Sequence, residues 1–494
     1  MKHKILTLLL TLSTHFLSAQ CPTSITLFSQ GQIDSFRIHY PGCTQILGTM
    51  TIAESDSAGI THLDSLGQIN SIHNLIVQNN AALTNLRGLA SLAAIGDSLF
   101  LQGNAGLTSL SGLDSLTSIG GDLCVWDNLS LSSMSGLDSL SSISGALSII
   151  DNTALASLNG LGSLTSIGQR FDLSRSSLIS LSGLDNLSSV GGFINLNNNM
   201  ALTSLSGLDN LSSVGGIFSL LNHASLTTLN GLNSLTTAGG FYVNESPELV
   251  NLNGLNNLTS LSENLFICNN ANLTSVGGLG SLVSVSGMLL VYNNPALTNL
   301  DDLNSLTSVG AVLDIGFNDA LTSLSGLSNL TNIGGGLSVC YNNALTSLSG
   351  LDNMDFSMII TGMKIKKNPL LFLCNVKSIC DYLESGDPID ISGNAPGCNN
   401  KSQVKAACMV SSEEVPSIKQ ENIWVFPNPA TQTVYLDIPE AYQIDYQIYD
   451  MSGQLIRQGN QTGGAIDIRS LISGGYVLKV IGKEGLVVKR IMKK

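Results

Sequence analysis

Beyond the first twenty residues the chain holds four histidines, His39, His62, His73 and His223. An imidazole is recognised in sequence as a general base or a metal ligand when it recurs with other such groups at a characteristic spacing. None of the four stands in H-E-x-x-H. No G-x-S-x-G string occurs, and no Walker A or dinucleotide fingerprint precedes a helix pattern. The adjacent carboxylates Asp301 and Asp302 fall in a turn and are expected to face water. No catalytic residue, metal site or cofactor is therefore assigned. The nine cysteines are the remaining reactive groups. Cys21 and Cys43 form one group near the start, and Cys374, Cys380, Cys398 and Cys408 form another near residue 400. Cys124, Cys268 and Cys340 are scattered between. Even-numbered groups imply bridges wherever the compartment is oxidising, so the six grouped cysteines are expected to pair and the other three to stay free.

The elements that position these side chains come from a repeat. Units start at Ile60, Leu83, Leu107, Leu131, Leu155, Leu178, Leu202, Leu226, Leu249, Leu273, Leu297, Leu321 and Leu345, spaced 24 residues apart and sometimes 23. In the unit LTSLSGLDNLSSVGGIFSLLNHAS, starting at Leu202, apolar residues occupy positions 1, 4, 7, 10 and 13, then 17 and 19. A spacing of three is wrong for a helix. It suits short extended segments and turns that point into one shared axis. The Gly-Gly pair at positions 14 and 15 is expected to turn the chain through positive φ, and the alternation that follows is strand chemistry. One coil cannot bury its own leucines, but stacked coils can. The fold class is thus mainly β, a right-handed β-solenoid of leucine-rich-repeat type. Asn80, Asn104, Asn128, Asn152, Asn199, Asn270, Asn294, Asn318 and Asn342 recur just before the unit starts. Stacked amides can satisfy the turn and one another. A Ca²⁺ ladder would need several carboxylates per ion, and these coils offer about one each.

The positions that vary from coil to coil are those expected to point away from the core. They include Phe100, Cys124, Trp126, Ser148, Tyr242, Phe266, Tyr292 and Asp314. Aromatic side chains beside Asn and Asp have the composition of a binding face. Phe100, Trp126, Tyr242, Phe266 and Tyr292 are the candidate ligand-binding residues. The same residues also simply favour strands, and both readings stand. The surroundings are acidic: from Ile60 to Met363 there are three basic residues against nineteen Asp and Glu, and the whole chain carries −14. Such a chain repels phosphate backbones, so nucleic acid is an unsuitable partner.

Lys2, Lys4, the apolar run Ile5–Leu12 and the small pair Ser18-Ala19 read as a signal peptide. No stretch is long and apolar enough for a transmembrane helix. The string LVSVSGMLLVYNN, residues 282–294, follows the pattern L-x-x-I-x-G-x-L-x-I-x-N-N. On that pattern, residues 44–370 resemble the receptor L domain, a relative of leucine-rich repeats. The resemblance implies the architecture and leaves the ligand open. The chain departs from it in having more coils than one L domain and no Cys-rich module between repeats.

From Ile423 the character changes, with alternating runs at 433–438, 446–449, 454–458, 465–468, 475–480 and 487–492. These suggest a small Ig-like β-sandwich. The motifs VFPNPA (425–430), YDMSGQLI (449–456), IDIRSLISGGYVLKV (466–480) and KRIMKK (489–494) resemble the type A C-terminal sorting domain of the type IX secretion system. The resemblance places the sorting signal on Pro427, Asn428, Pro429, Gly453, Leu471, Gly474, Tyr476 and Lys489. It implies periplasmic transit, export across the outer membrane and the type IX machinery as a partner. Asp-Ser-Leu strings such as Asp114–Leu116 and Asp138–Leu140 resemble O-glycosylation sites of bacteria with this system, although polar turn residues above a packed Leu explain them equally.

The organisation read from the sequence is a signal peptide at 1–19, an N-terminal cap at 20–59, a solenoid of about 13 coils at 60–369, a disulfide-rich cap at 370–409, a linker at 410–422 and the sorting domain at 423–494. The expected function is a secreted or surface binding or adhesion protein for an extracellular protein or glycan. The alternatives are a structural coat component and, third, an enzyme.

Overall fold

The structure is a computed structural model that describes residues 21–55, 59–357, 359–412, 425–436, 443–462, 464–482 and 485–494. The signal peptide and most of the linker read above lie outside these residues. The described chain forms two compact units, one ending at Gly191 and one starting at Gly192. Each is described by itself.

Both units are parallel β-solenoid, with about 15 turns among the described residues, and the second ends in small antiparallel sheets. One coil of the first unit shows how the spacing of three is used. The Leu113 amide donates to the Leu110 carbonyl at 3.1 Å, and the Leu116 amide to the Leu113 carbonyl at 2.9 Å. These two Leu-x-x-Leu steps are tight i to i+3 turns, in which residues three apart eclipse one another on one side, whereas the Leu110 amide crosses to the Ser135 carbonyl of the next coil at 3.0 Å. Leu107, Leu110, Leu113, Leu116, Ile119, Leu123 and Val125 all become fully buried. Complete burial of each such side chain is worth roughly 2 kcal/mol against exposure, and only the coils above and below supply the covering surface.

Most coils carry a two-residue strand and a four-residue strand, merged into one in Ser71–Gln78, Ser213–Leu221 and Thr237–Asn244, and each lies in register with its counterpart in the neighbouring coil. In the first unit Leu99 lies beside Leu123 and Leu101 beside Val125. In the second, Leu265 pairs with Leu289, and Leu289 with Leu313. Like stacks on like, so the repeat in sequence becomes columns in space.

The Gly-Gly pair is not a positive-φ turn, contrary to the reading above. Within the coils the positive-φ glycines mostly stand just before the third leucine of the unit, as Gly112 does at φ 111° and Gly160 at φ 109°. The glycines of the pair serve clearance instead: a Cβ on Gly120 would lie 2.2 Å from the Gly96 carbonyl oxygen of the preceding coil. Both demands exclude a side chain, which is why composition alone does not separate them.

Parallel stacking runs into the segments at both ends of the repeat. Gln45–Ala53 pairs with Ser71–Gln78, and beside it lie the helix Gln30–His39 and the Cys21–Cys43 bridge. At the other end Met363–Lys366 pairs with Leu337–Cys340 and with Ile389–Ser392. The helices Lys377–Ser385 and Lys401–Ser412 flank them. Cys374 joins Cys398 and Cys380 joins Cys408, while Cys124, Cys268 and Cys340 are free thiols.

The C-terminal segment has three antiparallel strands in one sheet, Val425–Phe426, Thr433–Leu436 and Ala465–Asp467, and four in another, Gln443–Asp450, Leu455–Thr462, Gly474–Gly482 and Gly485–Lys493. Val434, Ile448, Ile466, Leu478 and Ile491 form the centre of their common core.

Candidate functional site

Two columns at the end of the four-residue strands hold the sheet faces in place. The first is a run of left-handed residues, Asn79, Asp127, Asp151 and Arg175 in the first unit and Asn198, Asn222, Glu245, Asn269, Asn293, Phe317, Tyr341 and Lys367 in the second, with φ between 54° and 60°. Asn and Asp tolerate this region better than other side chains do. The second column follows one residue later and is the buried Asn ladder. Asn104 is typical. Its Oδ1 accepts from the Asn80 amide at 3.1 Å and from Asn80 Nδ2 at 3.0 Å, while its Nδ2 donates to the Val77 carbonyl at 2.9 Å. The asparagines are therefore structural.

His223 occupies a ladder position in the second unit and is fully buried. Its Nε2 lies 2.9 Å from the Leu196 carbonyl and its Nδ1 3.3 Å from that of Asn199. Burial holds the imidazole below its ordinary pKa, and the two carbonyls act in the opposite direction. The next ladder position is Ser246, whose Oγ is buried without a partner. Of the other histidines, His62 lies near Asp34 and Asp64, at 4.0 and 3.4 Å, and His39 contacts the Ser35 carbonyl. Asp301 and Asp302 begin a single 3₁₀ turn, Asp301 exposed and Asp302 half-buried. Ser115 and Ser139 are exposed, and each hydroxyl donates to a carbonyl of the preceding coil, of Ala90 and Asp114 at 2.9 and 2.7 Å. Among the described residues, no three His, Cys, Asp or Glu side chains gather in a way that could hold a metal ion.

The outward strand positions bring the aromatic candidates into contact in groups. In the first unit Phe100 and Trp126 meet edge to face, with ring centres 6.3 Å apart. The Trp126 indole donates to Ser148 Oγ at 2.9 Å. Cys124 and Ser148, expected on the open face, are buried instead: a neighbouring ring bonds across Ser148, and burial drives the Cys124 thiol up to about 12, helped by Asp122. In the second unit Tyr242 and Phe266 stack at 4.5 Å, and Asn264 Nδ2 donates to the Tyr242 hydroxyl. Tyr292 belongs to a third group with Phe317, at 4.9 Å and 52°, and Phe317 stacks on Tyr341 at 4.4 Å. Asp314 shares this face. Burial raises its carboxyl pKa, against a hydrogen bond from Ser338 and the charge of Lys364. Burial and then Asp314 raise the Tyr292 phenol, and burial with Asp314 raises the Cys268 thiol to about 11.

Phe317 and Tyr341 were missed in the sequence, although a signal for them exists. They stand where most other coils place Asn, Asp or Gly, and nothing about strand alternation selects them.

In the C-terminal segment the motif residues hold strand ends together. Asn428 Nδ2 donates to the Arg490 carbonyl at 2.7 Å, and its Oδ1 accepts from the Met492 amide at 2.8 Å. Pro427 and Pro429, on either side, both follow cis peptide bonds. Gly453 is left-handed at φ 81°, in a turn whose Ser452 and Gln454 amides donate to Asp450 Oδ1. Ser452 bonds the same carboxylate and is the leading cause of its lowered pKa. Leu471 is buried, Gly474 begins a strand, and the Tyr476 hydroxyl donates to the Ile472 carbonyl at 2.7 Å. Lys489 pairs with Leu478 across the last two strands and is exposed.

Residues 424–494 match the family described as the secretion system C-terminal sorting domain. No curated protein matches the chain. The sorting domain marks the chain for type IX secretion to the cell surface or beyond, and no helix among the described residues is long and apolar enough to cross a membrane.

Proposed function

We propose that the exported solenoid is a binding protein whose outward strand face engages an extracellular protein or glycan, and that it is not an enzyme. One observation carries this reading. The coil interiors are filled mainly by Leu, Ile, Val and Phe and closed by the ladder, yet large aromatic residues recur on the opposite face of the same strands and group there. Core stability does not require them at those positions. Aromatic side chains that remain partly open to water are what a recognition surface uses. The serines and aspartates of the coils meanwhile spend their polar atoms on turns: Asp114 Oδ2 accepts from the Gly112 amide, and Ser139 Oγ from its own position bonds the coil before it.

The test is a protein and glycan array probed with the purified chain and with the Trp126→Ala and Tyr292→Ala variants. Specific capture that is lost in one or both variants, with circular dichroism unchanged, is the expected result. A chain that captures nothing above background, or variants that bind like the parent, would favour the coat-component reading.

A further inference from the structure

In the second unit, three departures from the repeat coincide on one face. At the outward position beside Tyr292 the next coil has Gly316. A Cβ there would sit 3.2 Å from the Tyr292 ring, so the missing side chain is what lets that ring lie over the neighbouring strand. The following residue, Phe317, and its counterpart one coil on, Tyr341, hold φ of 57° and 59°, a conformation disfavoured for bulky side chains. Burial does not compensate for it, since Phe317 and Tyr341 remain 36% and 43% exposed. Two residues before Gly316, on the same strand, Asp314 brings a carboxylate to the same face. Ser338, its register partner in the next coil, bonds it. Among the described residues, the positive charge acting on Asp314 comes from Lys364, two coils along. Lys366, beside Cys340, is engaged by Asp390 at 2.7 Å. From Arg175 to Lys364 the sequence contains no Lys or Arg, while Asp and Glu recur.

A carboxylate sharing a face with three partly open aromatic rings is complementary to a positive charge, and the lysines nearest to it, Lys364, Lys366 and Lys367, all belong to the single coil that follows Tyr341. The ring faces attract it through their quadrupoles and the carboxylate through its charge. Polyanions are repelled by the same field. We propose that Tyr292, Asp314, Phe317 and Tyr341 form a binding site for the ammonium and guanidinium side chains of a basic polypeptide. This rests on the reading of the strand face as a binding surface and names its ligand chemistry.

The test is calorimetric titration of the full exported chain with octalysine, alongside neutral oligosaccharides and a Gly-Ser octapeptide. Phe317→Asn and Tyr341→Asn restore the residue type usual in the left-handed column, so these variants are expected to fold at least as well as the parent. Asp314→Asn keeps shape and removes charge. Glu248→Gln, at an exposed position elsewhere in the unit, removes the same charge as a control. The expected result is octalysine binding that weakens about tenfold in Asp314→Asn and in the Phe317→Asn/Tyr341→Asn double variant, with Glu248→Gln close to the parent. Absence of octalysine binding overturns the proposal, as does equal weakening by Glu248→Gln, which would show only the net acidity of the chain. Oligosaccharide binding lost in the double variant, without octalysine binding, would overturn the cation site and leave the binding face standing. A double variant that binds every probe like the parent would overturn both.

Discussion

Replacing His223 with Asn should stabilise the second unit. At this ladder position an Asn is expected to recover the pattern seen at Asn104, with an Oδ1 that accepts from the preceding ladder residue and an Nδ2 that reaches the carbonyl now met by His223 Nε2. The imidazole performs the second task but offers no carbonyl oxygen for the first. Ladder bonds to the two Asn199 donors at about 1 kcal/mol each, less about 1 kcal/mol for the volume lost in a packed site, set an upper bound of about 1 kcal/mol on the net gain at neutral pH. The sign with pH follows from the depressed imidazole pKa. Below the ordinary value of 6.5 the unfolded chain takes up a proton that the folded chain refuses. The parent therefore loses stability as pH falls, by at most about 1.4 kcal/mol per pH unit, and the Asn variant lacks this contribution. Stacked coils do not unfold in one step, so the measurement is native-state hydrogen exchange at the Leu226 and Leu220 amides, at pH 7.5 and pH 5, corrected for intrinsic rates. Slower exchange in the variant, with a larger difference at pH 5, is expected. Faster exchange in the variant, or a difference unchanged between the two pH values, would refute the ladder argument.

Two further outcomes are expected. Deleting residues 423–494 should leave the chain in the periplasm, as read by protease accessibility on intact cells; normal surface amounts of the truncated chain would contradict the role of the sorting domain. Alkylation of the native chain at pH 8 should leave Cys124 almost unmodified, because burial raises its thiol to about 12, whereas denaturation without reductant should expose three reactive thiols. Rapid modification of Cys124, or a peptide joining Cys268 to Cys340, would rule out the coil register.

What the sequence revealed about the fold depended on repetition. Every interior position is sampled once per coil, so the leucine spacing and the Asn column stand out from any single substitution. The end segments have no such averaging. Gln45–Ala53 and Ile389–Ser392 join the parallel ladder without the Leu-x-x-Leu string that marks a coil. The tail was legible for another reason: its motif residues make bonds that fix particular strand ends, as Asn428 does to both Arg490 and Met492, and such bonds need one residue type at one place. The Gly-Gly pair was misread because clearance against a neighbouring coil and left-handed backbone favour the same amino acid.

The strand face was harder to read because its residues are free to vary. Phe100, Trp126, Tyr242, Phe266 and Tyr292 were found by alternation along a strand, and contact between coils then joined them into groups. Alternation says nothing about the residue after the strand, so Phe317 and Tyr341 escaped it. The better instrument is the column itself. Stacking makes each position in a coil an independent sample of what the fold prefers, and in the left-handed column it prefers short polar side chains or none. An aromatic residue there works against the backbone, and when two occur in successive coils with their rings stacked, local preference cannot account for them. His223 is the same kind of departure in the neighbouring buried column. The two differ in what surrounds them. His223 is closed off by carbonyls and affects only stability, whereas Phe317 and Tyr341 remain open to water beside a carboxylate, where a departure from the repeat can act on something outside the chain.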